Sequence, residues 1–147
     1  MAGHGEFSNL VVIGASAGGV EALSEVVAGL PEDFPAPIVV AQHLDPERAS
    51  RLQQILSRRS MLPVRTVTDH APLEAGVIFV VPSNRHVNIT DSELNLTQDS
   101  HGRPMPSVDL LFSSAAGSFG ERLIAVILSG TGSDGTLGLR RIKQAGN

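Results

Sequence analysis

The stretch Leu10-Val-Val-Ile-Gly-Ala-Ser-Ala-Gly-Gly-Val-Glu-Ala-Leu23 decides how the rest of the chain is read. Leu10 to Ile13 is an unbroken apolar, β-branched run closed by Gly14, the pattern of a strand buried on both faces of a parallel sheet. Val20, Leu23, Val27 and Leu30 then recur at helical spacing, and Gly29 to Pro37 is a turn-rich exit with three prolines. A second βα unit follows. Its strand is Ile38 to Ala41, Asp45 stands as the N-cap with Pro46 at the first helical position, and Leu52, Ile55 and Leu56 form an apolar stripe to about Arg59.

Further along, Pro63 to Val67 and Val77 to Val81 read as short strands. Val87 and Ile89, then Leu94 and Leu96, alternate with polar residues around Asp91-Ser92-Glu93, which predicts an antiparallel hairpin with one wet face at a sheet edge. Ser107 is placed to cap a helix with Asp109 in its first turn and Leu110, Leu111, Ala115 and Phe119 on one side. Leu123 to Leu128 is another wholly apolar strand, followed by Ser129-Gly-Thr-Gly-Ser-Asp-Gly135 and a last helix from about Thr136 to Gly146. Strands and helices alternating at this spacing predict an α/β fold: a doubly wound, mostly parallel, Rossmann-like sheet with an antiparallel edge hairpin.

One domain accounts for 147 residues, with a hydrophobic content of 41% that suits a packed core. Eleven basic against fifteen acidic side chains leave a net charge of −4, so no general pull toward nucleic acid or anionic lipid exists. The five phenylalanines are the only aromatics, too few for base-stacking platforms. Absent cysteines remove disulfides and thiolate metal sites. No apolar window is long enough to cross a bilayer, and Met1 to Asn9 lacks the pattern of a secretory signal, which places the expected location in the cytoplasm without membrane insertion. Residues 1–9 read as a disordered leader, and 10–147 as the folded domain.

Three polar residues stand just after apolar strands: Ser16 after the first, His43 after the second and Asp134 after Leu123 to Leu128. In a parallel sheet all three leave on one edge. A serine nucleophile needs an imidazole to take its proton and a carboxylate to orient that imidazole, so these are the side chains a triad requires. Gly14-Ala-Ser-Ala-Gly18 also fits the G-x-S-x-G elbow, in which small neighbours let the chain turn sharply with the hydroxyl exposed. The backbone amides of Ala17 and Thr131 are the candidate oxyanion donors. Taken singly, each residue has a plainer reading: Ser16 as a helix cap, His43 as a hydrogen-bonded loop histidine, Asp134 as a turn residue. A phosphate or dinucleotide site is disfavoured, because Gly14-Ala-Ser-Ala-Gly-Gly19 lacks the middle glycine of G-x-G-x-x-G and the second strand ends in Gln42-His43 rather than an acid. His70, His86 and His101 sit in polar sequence and read as solvated, His4 falls in the leader, and no ligand spacing supports a metal. No cofactor is expected.

Val12 to Leu23, Val39-Val-Ala-Gln-His43, Pro106-Ser-Val-Asp-Leu-Leu-Phe112 and Leu128-Ser-Gly-Thr-Gly-Ser-Asp-Gly135 together resemble the signature segments of the CheB family, the protein-glutamate methylesterases of bacterial chemotaxis. The resemblance runs from about Leu10 to the last residue. It implies a serine hydrolase that removes methyl esters from glutamyl residues on the cytoplasmic domain of chemoreceptors and in many members deamidates glutamines, with Ser16, His43 and Asp134 as the catalytic set. Three departures accompany it. Ala17 replaces a frequent hydroxyl residue, Thr131 replaces a frequent methionine, and the second glycine-rich segment has the Ser-Gly-Thr-Gly-Ser-Asp-Gly form; separately, nine residues precede the first strand where a classical member has a receiver domain, so a phosphorylation switch is not expected. The Ser-Gly-Thr-Gly-Ser-Asp-Gly form resembles esterase modules fused to a methyltransferase, so a methyltransferase or sensory module is an implied partner. The family's chain continues beyond the equivalent of Asn147, which implies a catalytic domain truncated at its C-terminus. The alternative from another class is a non-catalytic receptor-binding or regulatory module that keeps the fold.

Overall fold

The computed structural model describes residues 7–15, 20–42, 46–82, 85–97 and 108–128. Its frame is a five-stranded sheet in which every pairing is parallel. The strands are β1 (Leu10–Ala15), β2 (Ile38–Gln42), β3 (Val64–Thr66), β5 (Ile78–Val80) and β8 (Leu123–Leu128), in the order β3-β5-β2-β1-β8. A second sheet of β4 (His70–Pro72), β6 (His86–Thr90) and β7 (Glu93–Thr97) is antiparallel, in the order β4-β7-β6.

The unbroken apolar runs are explained by the layers. Successive side chains of a strand point to opposite faces, and β1 has an apolar layer to fill on each. Val11 and Ile13 pack with Ile38 and Val40 beneath α1 (Val20–Ala28) and α2 (Pro46–Arg59), which contribute Leu23, Val27, Leu52 and Leu56. Leu10 and Val12 pack with Val39 and Ala41 on the other face against α3 (Val108–Phe119), which contributes Leu111, Phe112, Ala115, Ala116 and Phe119. The paired positions Leu23/Val27 and Leu52/Leu56 lie four residues apart, on one side of each helix. Helices on both faces make the sheet doubly wound, as the alternating pattern predicts. Gln53 ties α2 to the edge strand: its Nε2 donates to the Val64 carbonyl at 3.0 Å, and its Oε1 accepts from Thr66 Oγ1 at 2.7 Å. Gly76 enters β5 with φ 74°, where an added Cβ would stand 3.3 Å from the Phe34 carbonyl oxygen, so this turn requires glycine.

The hairpin around Asp91 and Ser92 forms, with Val87, Ile89 and Leu94 buried and Asn88 and Thr90 exposed. It does not extend the edge of the parallel sheet but builds its own sheet with β4. Three residues, His-Ala-Pro, carry no period. Two serines one turn apart on α3 hold the outer edge of β6 in place of a further strand. Ser114 Oγ accepts from the Ile89 amide at 2.9 Å and donates to the Leu111 carbonyl, while Ser118 Oγ accepts from the Asp91 amide at 3.1 Å and donates to the Ile89 carbonyl. Asp91 takes φ 56°, a value that Asp tolerates better than most residues.

Two further expectations change. Phe7 to Asn9, counted with the leader, belong to the packed body. Phe7 stacks on Phe119 with ring centroids 6.0 Å apart, and the Arg122 guanidinium sits 5.0 Å from the centre of the Phe119 ring. Asn9 Nδ2 donates to the Arg122 carbonyl and Arg122 Nη1 to the Ser8 carbonyl. His86, read as solvated, is fully buried at the start of β6, while His70 on β4 is exposed with its Nδ1 3.5 Å from Asp69 Oδ2. The polar neighbours of His86 hide its position, because burial on β6 comes from the elements packed against it, α3 and β7, and not from the local sequence. The caps at Asp45 and Ser107 and the helix from Thr136 lie outside the described residues.

Candidate active site

The three strands that precede the proposed triad are neighbours, and they end level. Ala15, the last residue of β1, is the register partner of Gln42, the last of β2, and of Leu128, the last of β8. Ser16 is the next residue after Ala15 and His43 the next after Gln42, while Thr131 and Asp134 follow Leu128 by three and six residues. Ser16, Ala17, His43, Thr131 and Asp134 themselves lie outside the described residues, so the structure establishes the platform on which these segments begin.

The winding of the sheet singles out one part of that edge. From β1 the chain passes through α1 to β2 on one side, and it later enters β8 on the other side of β1 from α3. α1 and α3 cover opposite faces of the sheet. The direction of winding therefore reverses between β1 and β8. In open α/β sheets such a reversal leaves a crevice beyond the carboxyl ends of the strands, because the two departing connections diverge to opposite faces. The elbow segment follows β1 and the second glycine-rich segment follows β8, so both candidate loops flank this switch point.

Pattern reading missed one polar group at this level. Gln42 is 2% exposed and closes the otherwise apolar strand Ile-Val-Val-Ala-Gln between β1 and β5. A buried amide needs hydrogen-bonding partners, which constrain the backbone from which His43 departs. Nothing in the local sequence separates a buried glutamine from an exposed one at a strand end. Among the described residues no group of three or more His, Cys, Asp or Glu is placed to hold a metal ion, and no helix is long and apolar enough to cross a membrane.

A doubly wound α/β domain whose switch-point strand β1 is followed by a Gly-x-Ser-x-Gly sequence fits a class of hydrolase-like domains, and comparison with known proteins narrows it. The family model described as CheB methylesterase matches residues 11–147. A protein-glutamate methylesterase/protein-glutamine glutaminase of Anaeromyxobacter dehalogenans is 45% identical over 141 residues, covering 93% of this chain and 40% of the relative. Another from Saccharophagus degradans is 38% identical over 146 residues, covering 93% of this chain and 38% of the relative. The crystal structure of the Thermotoga maritima CheB methylesterase catalytic domain superposes with a TM-score of 0.88 at 33% identity, covering 97% of this chain and 78% of that one. The chain belongs to the CheB methylesterase family. It spans about two fifths of the length of these curated relatives.

Proposed function

We propose that this chain carries the catalytic unit of a protein-glutamate methylesterase, a serine hydrolase acting on γ-methyl glutamyl esters of chemoreceptor cytoplasmic domains and, by the same route, on receptor glutamines. The observation that supports it most is the level ending of β1, β2 and β8 at Ala15, Gln42 and Leu128, which gives the segments bearing the nucleophile, the base and the orienting carboxylate a common origin at the switch point.

In this reading His43 takes the Ser16 hydroxyl proton as Oγ attacks the ester carbonyl. The amides of Ala17 and Thr131 donate to the resulting oxyanion, and both survive the side-chain departures at those positions because the donors are main-chain groups. As the tetrahedral intermediate collapses, His43 returns the proton to the departing methoxide, releasing methanol. Water, deprotonated by His43, then attacks the acyl-enzyme, and as the bond to Ser16 Oγ breaks His43 returns the proton to Oγ, freeing the glutamate product and restoring the enzyme. For a glutamine the leaving group is ammonia. Asp134 holds His43 in the required tautomer and stabilises the imidazolium. No step calls for a cofactor, and the reaction belongs in the cytoplasm, where receptor glutamates are methylated. A methyltransferase or sensory module on the same polypeptide fits this role.

A fluorophosphonate probe tests the assignment. Labelling of the folded chain that disappears in Ser16→Ala, together with methanol release from a methylated receptor fragment, is the expected result. A folded chain that neither labels nor releases methanol is instead a non-catalytic module on this fold.

A further inference from the structure

We infer that the outward face of α2 is a docking surface for an acidic, Glu-bearing helix, along which the substrate's helical segment lies while its ester reaches the carboxyl edge. The inference rests on the esterase reading above for the identity of the substrate, but it makes a separate claim about binding.

Arg51, Arg58 and Arg59 are exposed on α2, and none forms an ion pair with a described residue. By contrast, Arg65 is paired with Glu74 at 2.8 Å. The exposed positions from 51 to 59 are Arg51, Gln54, Ser57, Arg58 and Arg59, with no carboxylate among them. Three cations without an ion-pair partner among the described residues, on a protein of net charge −4, form a local field opposite in sign to the whole. The adjoining surface is acidic: Glu21 and Glu25 are exposed on α1, which lies on the same face of the sheet, and Glu32 and Asp33 are exposed after it. An acidic partner is thus drawn to α2 and repelled from α1, which sets its lateral position.

Spacing points to a helical partner. Arg51 and Arg58 are seven residues apart, two helical turns, so they stand on one line about 10 Å apart along the axis. Carboxylates at i and i+7 of a second helix repeat at the same interval. Orientation agrees: β2 and β3 both pair in parallel with β5, so α2, which connects them, begins at the carboxyl edge and returns toward the amino edge. A helix laid along it therefore has one end at the carboxyl edge, from which Ser16 and His43 depart. A lipid surface is the poorer fit, since an interfacial helix needs apolar anchors and the exposed large hydrophobics among the described residues, Val26, Met61 and Ile124, all lie outside α2.

The test uses the whole chain and a synthetic Glu-rich helical peptide carrying one γ-methyl glutamyl ester, with carboxylates at i and i+7. Fluorescence anisotropy in low salt should show at least tenfold weaker binding to Arg51→Glu/Arg58→Glu, an intermediate loss for Arg51→Gln/Arg58→Gln, and convergence of all three proteins at about 0.5 M salt, where charges are screened within a few ångströms. On the kinetic side, kcat/KM for methanol release from the peptide should fall about tenfold, while turnover of a small uncharged aryl ester changes less than twofold. Equal peptide binding by wild type and the charge-reversed variant overturns the proposal. So does equal loss on both esters, or a defect seen only with anionic lipid vesicles. Charge-dependent peptide binding by a wild-type chain that turns over neither ester would uphold the docking face and sink the esterase reading, so the two failures are distinct.

Discussion

β1 and β8 are nearly interchangeable as sequences and differ in how the fold uses them. Leu-Val-Val-Ile-Gly-Ala and Leu-Ile-Ala-Val-Ile-Leu are both six-residue apolar strands, parallel and in register along their full length. β1 pairs on both sides, lies between two helical layers and is buried at all six positions. β8 closes the strand order among the described residues; Leu123 is buried, Ile124 is 49% exposed and the remaining four are half-buried. An apolar run thus specifies a strand and its partners without specifying its depth. Yet the two strands end level, and in the proposed mechanism each contributes one side of the site. Stability and catalysis should therefore divide differently between them.

The largest expected effect tests the functional equality. Asp134→Asn, beyond β8, should lower methanol release by up to about 10⁴, the scale of the corresponding change in a serine protease, because the amide favours the wrong tautomer of His43. Ser16→Ala, beyond β1, should lose at least as much. Near-normal turnover in Asp134→Asn would leave the Thr131 amide as the segment's remaining contribution after β8 and break the symmetry. The structural inequality comes next. Ile13→Ala, at a site 1% exposed, should cost about 2–5 kcal/mol in denaturant unfolding through lost burial and a residual cavity.

A smaller effect concerns how α3 is held between the two sheets. Ser114→Ala leaves the Ile89 amide without its hydroxyl acceptor and should cost about 1 kcal/mol, with faster hydrogen exchange at Ile89 as the local signature. Unchanged exchange there would show that packing of Leu111, Phe112 and Ala115 alone positions the helix. The smallest effect is assigned to the outer strand: Ile124→Ala should move stability by no more than about 0.5 kcal/mol. A loss comparable with that of Ile13→Ala would mean that β8 is as deeply enclosed as β1 and would erase the contrast.

What could be read in the sequence follows the same division. Unbroken apolar runs that must fill two layers and helical stripes such as Leu52 and Leu56 are local patterns with local causes, so the parallel strands and the three described helices were legible. So was the idea that Ser16, His43 and Asp134 depart from strand ends. That the strands preceding them end level was not, because register is set by which backbone groups pair across strands far apart in sequence, and only the pairing of Ala15 with Gln42 and Leu128 establishes it. The burial of His86 and Gln42, the second sheet built on β4, the seating of Phe7 against Phe119 and the exposure of Ile124 were likewise tertiary decisions. Each depends on which distant surface covers a residue. A linear pattern encodes which face of an element is apolar, and only the assembled layers determine what comes to lie against it.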